Sequence, residues 1–340
     1  MSPVDRGATQ THEAPPGRPP ARHEDFGLSP PAWYYFGPLS QLARGPVRLE
    51  LPNGQAFVGF QTQAGAVAVL SARCCHMNTD LARGCVVGER LACPLHGWEF
   101  GVDGRCERIP VQAEVPAFAR QTAYPAVIRR GHVFFHSQPE ARYPLPFFED
   151  TLPEALHPAR PFTLEADVPW YFVGANGFDV QHFLGAHDRV LLGPPQIDAP
   201  SPFGLRITVR FAVAGRSFAD ALTRRFAGPE VTMTITSWAG TMLTVTAKFR
   251  RTTSYGLMTV HPLSGHRTRA RVIVWVRRSR SSAGRTLLDP VNAAVRRAFI
   301  RRFLTSDIER MSEVRHHPNR LLPIDAPFAR YLDWLRDLHA

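Results

Sequence analysis

Cysteine and histidine occur in two short pairings, Cys74-Cys75-His76 and Cys93-Pro94-Leu95-His96, with sixteen residues between them. Each pairing offers one thiolate and one imidazole. Such a donor set suits two kinds of metal centre. One is an iron–sulfur cluster in which two cysteines hold one iron and two histidines hold the other, raising the reduction potential above that of an all-cysteine cluster. The other is a structural zinc held by all four side chains. Zinc pairs favour spacers of about two to four residues, so the single-residue spacer of Cys74 and His76 counts against zinc.

A second pair of candidate ligands, His182 and His187, lies further along the chain. Residues five apart on a regular helix point about 140° apart, so spacing alone leaves them open between metal ligands and histidines that hydrogen-bond within a core. Gly185 between them is expected to distort the helix and let the imidazoles converge; a regular helix through His187 would argue against a shared metal. Asp307 follows Phe299 and Phe303 at four-residue steps. A continuous helix would aim its carboxylate along the face that buries those rings, which is costly unless it meets a cation or metal. The other reading of Asp307 is an exposed aspartate near a helix bend, with Glu309 as a fallback ligand.

Around the first constellation the chain runs Cys74-x-His76-Met77-x-x-Asp80-Leu81-x-x-Gly84, then Cys93-Pro94-Leu95-His96-Gly97-Trp98-x-Phe100 and Asp103-Gly104-Arg105-Cys106. This pattern resembles the Rieske domain of the ring-hydroxylating non-haem iron oxygenases, in particular the 3-ketosteroid 9α-hydroxylase and cholesterol-desaturase branch. The resemblance implies that Cys74, His76, Cys93 and His96 hold a 2Fe–2S cluster. High-potential Rieske proteins carry an additional cysteine inside the second ligand loop; Leu95 stands there, which favours the oxygenase-like, lower-potential type. Cys75, Cys85 and Cys106 are then non-ligands, expected as buried small hydrophobes.

The segment from Asn176 through Asp179 and His182 to His187 resembles the oxygenase motif N-x-x-D-x-x-H-x-x-x-x-H. The resemblance implies that His182, His187 and Asp307 form a 2-His-1-carboxylate triad around a mononuclear Fe(II), leaving one face of the metal for dioxygen. Related oxygenases often follow this aspartate with Ile-Trp, whereas Ile308-Glu309 follows here. Asp179 is implied to bridge His96 of one subunit to an iron-bound histidine of its neighbour, giving a head-to-tail homotrimer; alternatively it is a carboxylate stabilised at a helix N-terminus. Asn176 is implied to lie near the iron. The expected partners are an NAD(P)H-dependent reductase or ferredoxin, dioxygen, and an apolar cyclic small molecule. The expected reaction is its oxidation, most simply mono-oxygenation, with hydroxylation, desaturation and demethylation not separated. No G-x-G-x-x-G follows a strand, so the electrons come from another protein. Trp170, Phe178, Phe183 and Leu184 are expected either to line the substrate cavity or to be ordinary core.

The elements that must position these groups fall into two units. Residues 1–28 hold prolines, glycines and charges without an apolar period and are expected to be disordered. Residues 29–138 read as short strands, with Asn53–Gly54 and Asp103–Gly104 as hairpin signals. Residues 139–161 have the composition of a linker. In residues 162–340, Leu205, Ile207, Val209, Phe211 and Val213 alternate with more polar neighbours, and Val231–Ser237, Leu243–Phe249 and Ala270–Val276 repeat that period. A final helix is expected over 290–313, where Val295, Phe299 and Phe303 recur at every fourth residue. The fold class is α+β: an N-terminal antiparallel β Rieske domain, then, as the resemblance implies, a helix-grip (START-like) domain whose curved antiparallel sheet carries iron-bearing helices.

With 340 residues, 44% of them apolar, the chain can bury two cores. All five cysteines fall between positions 74 and 106, an odd clustered set that reads as a metal site in a reducing compartment. The net charge of +11 is nearly all arginine, with Lys248 the only lysine. Pairs such as Arg224–Arg225 and Arg277–Arg278 sit beside strand-like runs and read as solvated faces; nucleic-acid binding is not expected. A basic docking surface for an acidic electron-transfer protein is a weaker functional reading of the same charge. Apolar runs such as Val272–Val276 fall far short of a transmembrane segment, and the N-terminus lacks a signal-peptide core, so a cytoplasmic location is expected. The competing function is a Rieske electron-transfer protein whose second domain only binds a partner; it would need no triad.

Overall fold

Alternation of apolar and polar side chains draws about a third of this chain into antiparallel strands. The computed structural model describes residues 19–315, 317 and 320–339. The N-terminal unit contains β1 (Trp33–Pro38), α1 (Leu39–Leu42), β2 (Val47–Glu50), β3 (Ala56–Gln61), β4 (Val67–Ser71), β5 (Cys85–Val87), β6 (Arg90–Ala92), β7 (Glu99–Phe100), β8 (Cys106–Arg108), β9 (Ala123–Tyr124), β10 (Ala126–Arg129) and β11 (His132–His136). They form three sheets, ordered β1-β11-β10, β2-β3-β4-β9 and β5-β6-β7-β8. The last is the small platform on which both cysteine–histidine loops sit.

The second unit comprises β12 (Leu156–Pro158), β13 (Phe162–Ala166), α2 (Trp170–Ala175), α3 (Val180–His187), β14 (Arg189–Leu191), β15 (Gln196–Ser201), β16 (Gly204–Val213), α4 (Phe218–Phe226), β17 (Glu230–Trp238), β18 (Met242–Phe249), β19 (Thr253–Ser264), β20 (Arg267–Arg277), α5 (Asp289–Met311) and α6 (Ala326–His339). The sheet order is β12-β20-β19-β18-β17-β16-β14, with β13 also on β20 and β15 on β16. In β16, Leu205, Ile207, Val209, Phe211 and Val213 are buried as their alternation predicts. One face of the sheet packs on α2, α3 and α6 through Leu205, Phe178 and Tyr331. On the other face Tyr255, Leu257, Ile273 and Trp275 join Trp33, Tyr34 and Phe135 of the N-terminal unit in a shared core. Covered on both sides, β20 reads Val272–Val276 without a polar break.

Several expectations change. Most of the segment expected to be disordered, residues 1–18, lies outside the described residues. Residues 19–28 are packed: Phe26 is buried and stacks on Tyr171 at 4.0 Å, and the Trp170 indole donates to the Gly27 carbonyl at 3.1 Å. Partners from α2 supply what the segment's own composition lacks. The expected linker is also structured, since β12 pairs with β20 and Tyr143, Leu145 and Phe148 fill the shared core. α5 matches the expected 290–313 helix but is not the last, because α6 buries Phe328, Tyr331, Leu332 and Leu335 at helical spacing. No helix among the described residues is long and apolar enough to cross a membrane.

Candidate metal centres

The two cluster loops are built alike. Residues 74–80 follow β4 and residues 93–98 join β6 to β7. In each, the cysteine carbonyl accepts a backbone hydrogen bond from the fourth residue on, Asn78 at 2.8 Å and Gly97 at 3.0 Å. The cysteine N–H donates to the carbonyl of the fifth residue on, Thr79 at 2.9 Å and Trp98 at 2.8 Å. Asn78 and Gly97 both adopt left-handed backbone, φ 59° and 67°, a conformation open to asparagine and glycine. Gly84 has a different reason: a Cβ there would lie 2.0 Å from the Ala92 carbonyl, so only glycine lets the two loops' flanks approach.

Cys74 and Cys93 are buried, whereas His76 and His96 are exposed with ring centroids 4.8 Å apart. Trp98 lies parallel on His76 at 4.4 Å. Burial pushes the Cys74 thiol up to about 12. Only a cation at the site makes the thiolate form favourable there, so the donor chemistry fits a metal centre. Among the described residues, the one set of three or more ligating side chains whose donor atoms lie within 4.8 Å of one another is His182, His187 and Asp307. Two buried thiols with two exposed imidazoles beyond them suit a two-iron centre with cysteines inside and histidines outside. The expectation that all three remaining cysteines are buried fails for Cys85, which is exposed on the short strand β5; Cys75 is half-buried and Cys106 buried.

In the second unit, Asp179 caps α3, its Oδ1 accepting from the His182 backbone N–H at 3.1 Å. The helix runs unbroken through His187 and ends at Asp188, φ 50°. The expectation that Gly185 distorts it, and that a regular helix would forbid convergence, is overturned: the two Nε2 atoms are 3.1 Å apart. Two long imidazoles on either flank of the helix reach toward one point off its axis, where α5 presents Asp307. Asp307 Oδ1 lies 2.8 Å from His187 Nε2 and 3.2 Å from His182 Nε2. At metal–ligand lengths of about 2.1 Å, adjacent octahedral ligands stand about 3.0 Å apart, so this triangle fits one face of a six-coordinate ion.

Asp307 is buried. Burial alone would raise its pKa, but the His182 and His187 imidazoles outweigh that and hold the carboxyl below its usual value. Two neutral imidazoles that both donate from Nε2 to Oδ1 set their N–H groups against each other at 3.1 Å, a crowding that a cation bound by all three atoms removes. The face argument for Asp307 needs correction. Val295 and Phe299 are exposed, and the buried side of α5 is Ala293, Ile300, Leu304 and Met311, the row on which Asp307 falls. Glu309 is exposed and takes no part.

Side chains to which the sequence assigned no role at the metal hold this arrangement. Phe303 stacks on His187 at 3.8 Å, Arg310 donates to the Ala186 carbonyl at 2.5 Å, and Gln181 donates to Asp325 at 2.5 Å. The only sequence signal for Phe303 is its position one helical turn before Asp307. Beside the triangle lies a small apolar cavity of about 40 Å³. Leu164, Val173, Met258, Leu304 and Met311 line it, with Asn176 and Asp307 among its few polar groups. Trp170, Phe178 and Phe183 are core instead, and Leu184 is exposed, so none of these four lines it.

Comparison with known proteins agrees with this geometry. Residues 32–119 match the Rieske [2Fe-2S] domain. The chain is 34% identical over 119 residues to the oxygenase component of 3-ketosteroid-9-alpha-monooxygenase from Mycolicibacterium smegmatis, covering 33% of this chain and 31% of that protein. It is 35% identical over 121 residues to a cholesterol 7-desaturase of Ciona intestinalis, covering 34% and 26%. The aligned part thus spans about a third or less of those relatives' length. Solved structures align over nearly the whole chain. Dicamba monooxygenase bound to 3,6-dichlorosalicylic acid superposes with TM-score 0.69 at 17% identity, covering 91% of this chain and 97% of that one. NdmA of Pseudomonas putida CBB5, a mutant with theobromine, gives 0.67 at 18%, covering 89% of each. By its N-terminal sequence the chain carries a Rieske [2Fe-2S] domain, and its whole-chain fold is that of dicamba monooxygenase and NdmA.

Proposed function

We propose that this chain is an oxygenase component that takes electrons from a separate NAD(P)H-dependent reductase or ferredoxin and uses them with dioxygen to oxidise an apolar cyclic substrate. The observation that carries this reading is the His182–His187–Asp307 triangle beside an apolar cavity, in a chain that also carries a Rieske domain. Iron in the triangle supplies open coordination positions for dioxygen, and a 2Fe–2S cluster on Cys74, His76, Cys93 and His96 supplies single electrons.

The cavity residues exclude water and hold the substrate skeleton. The Thr268 hydroxyl is spent on the Val168 carbonyl at 2.7 Å, leaving the Asn176 amide, without a hydrogen bond among the described residues, to orient a polar atom of the substrate. At about 40 Å³ the cavity admits a ring system only when side chains move, and the unbranched, flexible Met258 and Met311 are suited to that. The named relatives concern steroids, and the solved neighbours hold theobromine and dichlorosalicylic acid, which supports a ring substrate.

Asp179 uses Oδ1 to cap α3, and Oδ2 makes no hydrogen bond among the described residues. In a head-to-tail homotrimer that oxygen accepts from His96 of the next chain, linking cluster to iron through the His182 backbone. The exposure of His96, Leu95 and Met77 supports such a contact. Five free cysteines support a reducing, cytoplasmic location. Metal and sulfide analysis with electron paramagnetic resonance tests the reading. About three irons and two sulfides per chain are expected, together with turnover of a ring substrate when a reductase is supplied. Two irons and no turnover would leave an electron carrier.

A further inference from the structure

One face of the N-terminal unit connects the cluster site to the surface through aromatic rings. Trp98 lies on His76 with an interplanar angle of 5°, and the Phe118 ring follows at 6.3 Å from Trp98. Phe118 is 66% exposed. Pro110 packs over Gly97 of the second cluster loop, next to Trp98. Arg105 and Arg120 are bridged backbone to backbone beside Phe118, and the Arg120 backbone reaches the Cys75 thiol next to His76. Arg73 and Arg120 are exposed and have no carboxylate partner among the described residues, so uncompensated positive charge rims the apolar patch.

Resting on the oxygenase reading, we infer that Phe118, backed by Trp98, is where electrons reach the cluster, and that the partner is a one-electron iron–sulfur protein with an acidic rim around an apolar contact. An assembly that passes electrons onward from His96 to the next chain's Asp179 has the His96 side covered. Reduction must then come through another side, and the His76 side offers a continuous path of rings to solvent. The step moves one electron: the donor's cluster is oxidised, the Rieske cluster is reduced, and no bond or proton is exchanged. The rim of Arg73 and Arg120 favours an acidic donor and makes its approach sensitive to salt.

The test follows cluster bleaching by stopped flow with a photoreduced plant-type 2Fe–2S ferredoxin as the probe and dithionite as the small-molecule control. The readout is the ratio of the two rates, which divides out any damage to the cluster. Phe118→Asp is expected to lower this ratio at least tenfold and Arg120→Glu severalfold with a weakened salt dependence, while Ile128→Asp, at an exposed apolar side chain on β10 of another sheet, leaves it unchanged. A ratio unaffected by Phe118→Asp, or one lowered equally by Ile128→Asp, overturns the inference. A wild-type protein without cluster absorbance would instead defeat the site reading beneath it.

Discussion

The Nε2 atoms of His182 and His187 lie 3.1 Å apart on an unbroken helix, and both face Oδ1 of Asp307 from another helix. Three potential ligand atoms meet at one point, and two imidazole N–H groups donating to the one carboxylate oxygen would crowd each other. The arrangement therefore fits a metal ion better than a buried hydrogen-bond cluster. Removing one imidazole by His182→Ala is expected to drop iron content by about one per chain and substrate oxidation by about 100-fold or more, while the Rieske resonance persists. An unchanged iron count would reject the triad.

Asp307→Asn keeps the shape of the side chain and removes its charge. It should lose iron as His182→Ala does. Exposed Glu309 is the internal control, since Glu309→Gln should change stability by no more than about 0.5 kcal/mol and leave iron in place. Equal iron loss in both variants, measured by metal analysis after desalting, would mean that the third ligand has been misassigned.

Phe303, stacked on His187 at 3.8 Å, limits that ring's rotation. Phe303→Ala is expected to weaken Fe(II) affinity by about 10–100-fold, the usual cost of losing a group that orients a ligand. Anaerobic iron titration measures this independently of turnover, and wild-type affinity would show that the stack does not orient the ligand.

Gly84 tests the cluster loops without touching a ligand. A methyl there meets the Ala92 carbonyl at 2.0 Å, so Gly84→Ala is expected to destabilise the domain by about 1–3 kcal/mol and reduce cluster content on purification. Normal cluster absorbance and an unchanged melting temperature would contradict this close approach.

Two histidines outside both metal sites predict acid lability. Burial lowers His132 to about 4, and burial reinforced by Arg271 and Arg269 lowers His261 to about 4. Each is neutral when folded yet protonates near pH 6.5 when unfolded, so the unfolded chain binds more protons between those values. Their contribution to stability is present above pH 6.5 and is lost as pH falls toward 4, at up to about 1.4 kcal/mol per pH unit for each. Melting temperatures between pH 7 and 4 should fall less steeply in His261→Gln; a parallel fall would contradict the buried neutral state.

Much of the cluster site was legible in the order of residues because each loop is local. Cys74 and Asn78, or Cys93 and Gly97, close a turn within five positions, and the left-handed residue each turn needs is visible as asparagine or glycine. Alternation in β16 was equally legible, since each strand has one face to bury. The route to Asp307 was different. Its neighbours Val295 and Phe299 suggested one face of α5, yet those side chains are exposed and the buried row is Ala293, Ile300, Leu304 and Met311. Apolar residues occupy more than one side of that helix, and periodicity cannot say which side meets the sheet.

Sequence by itself determined which residue types could hold metal, the short-range turns that present Cys74, His76, Cys93 and His96, and the strand pattern of both units. Tertiary structure alone decided that His182 and His187 converge without a helix break, that Asp307 rather than Glu309 joins them, and that Phe303 and Trp98 lie against ligand rings. The reason is one of range. A turn is set by dihedrals a few bonds apart, whereas the meeting of α3 with α5 depends on how each helix rolls against a shared sheet.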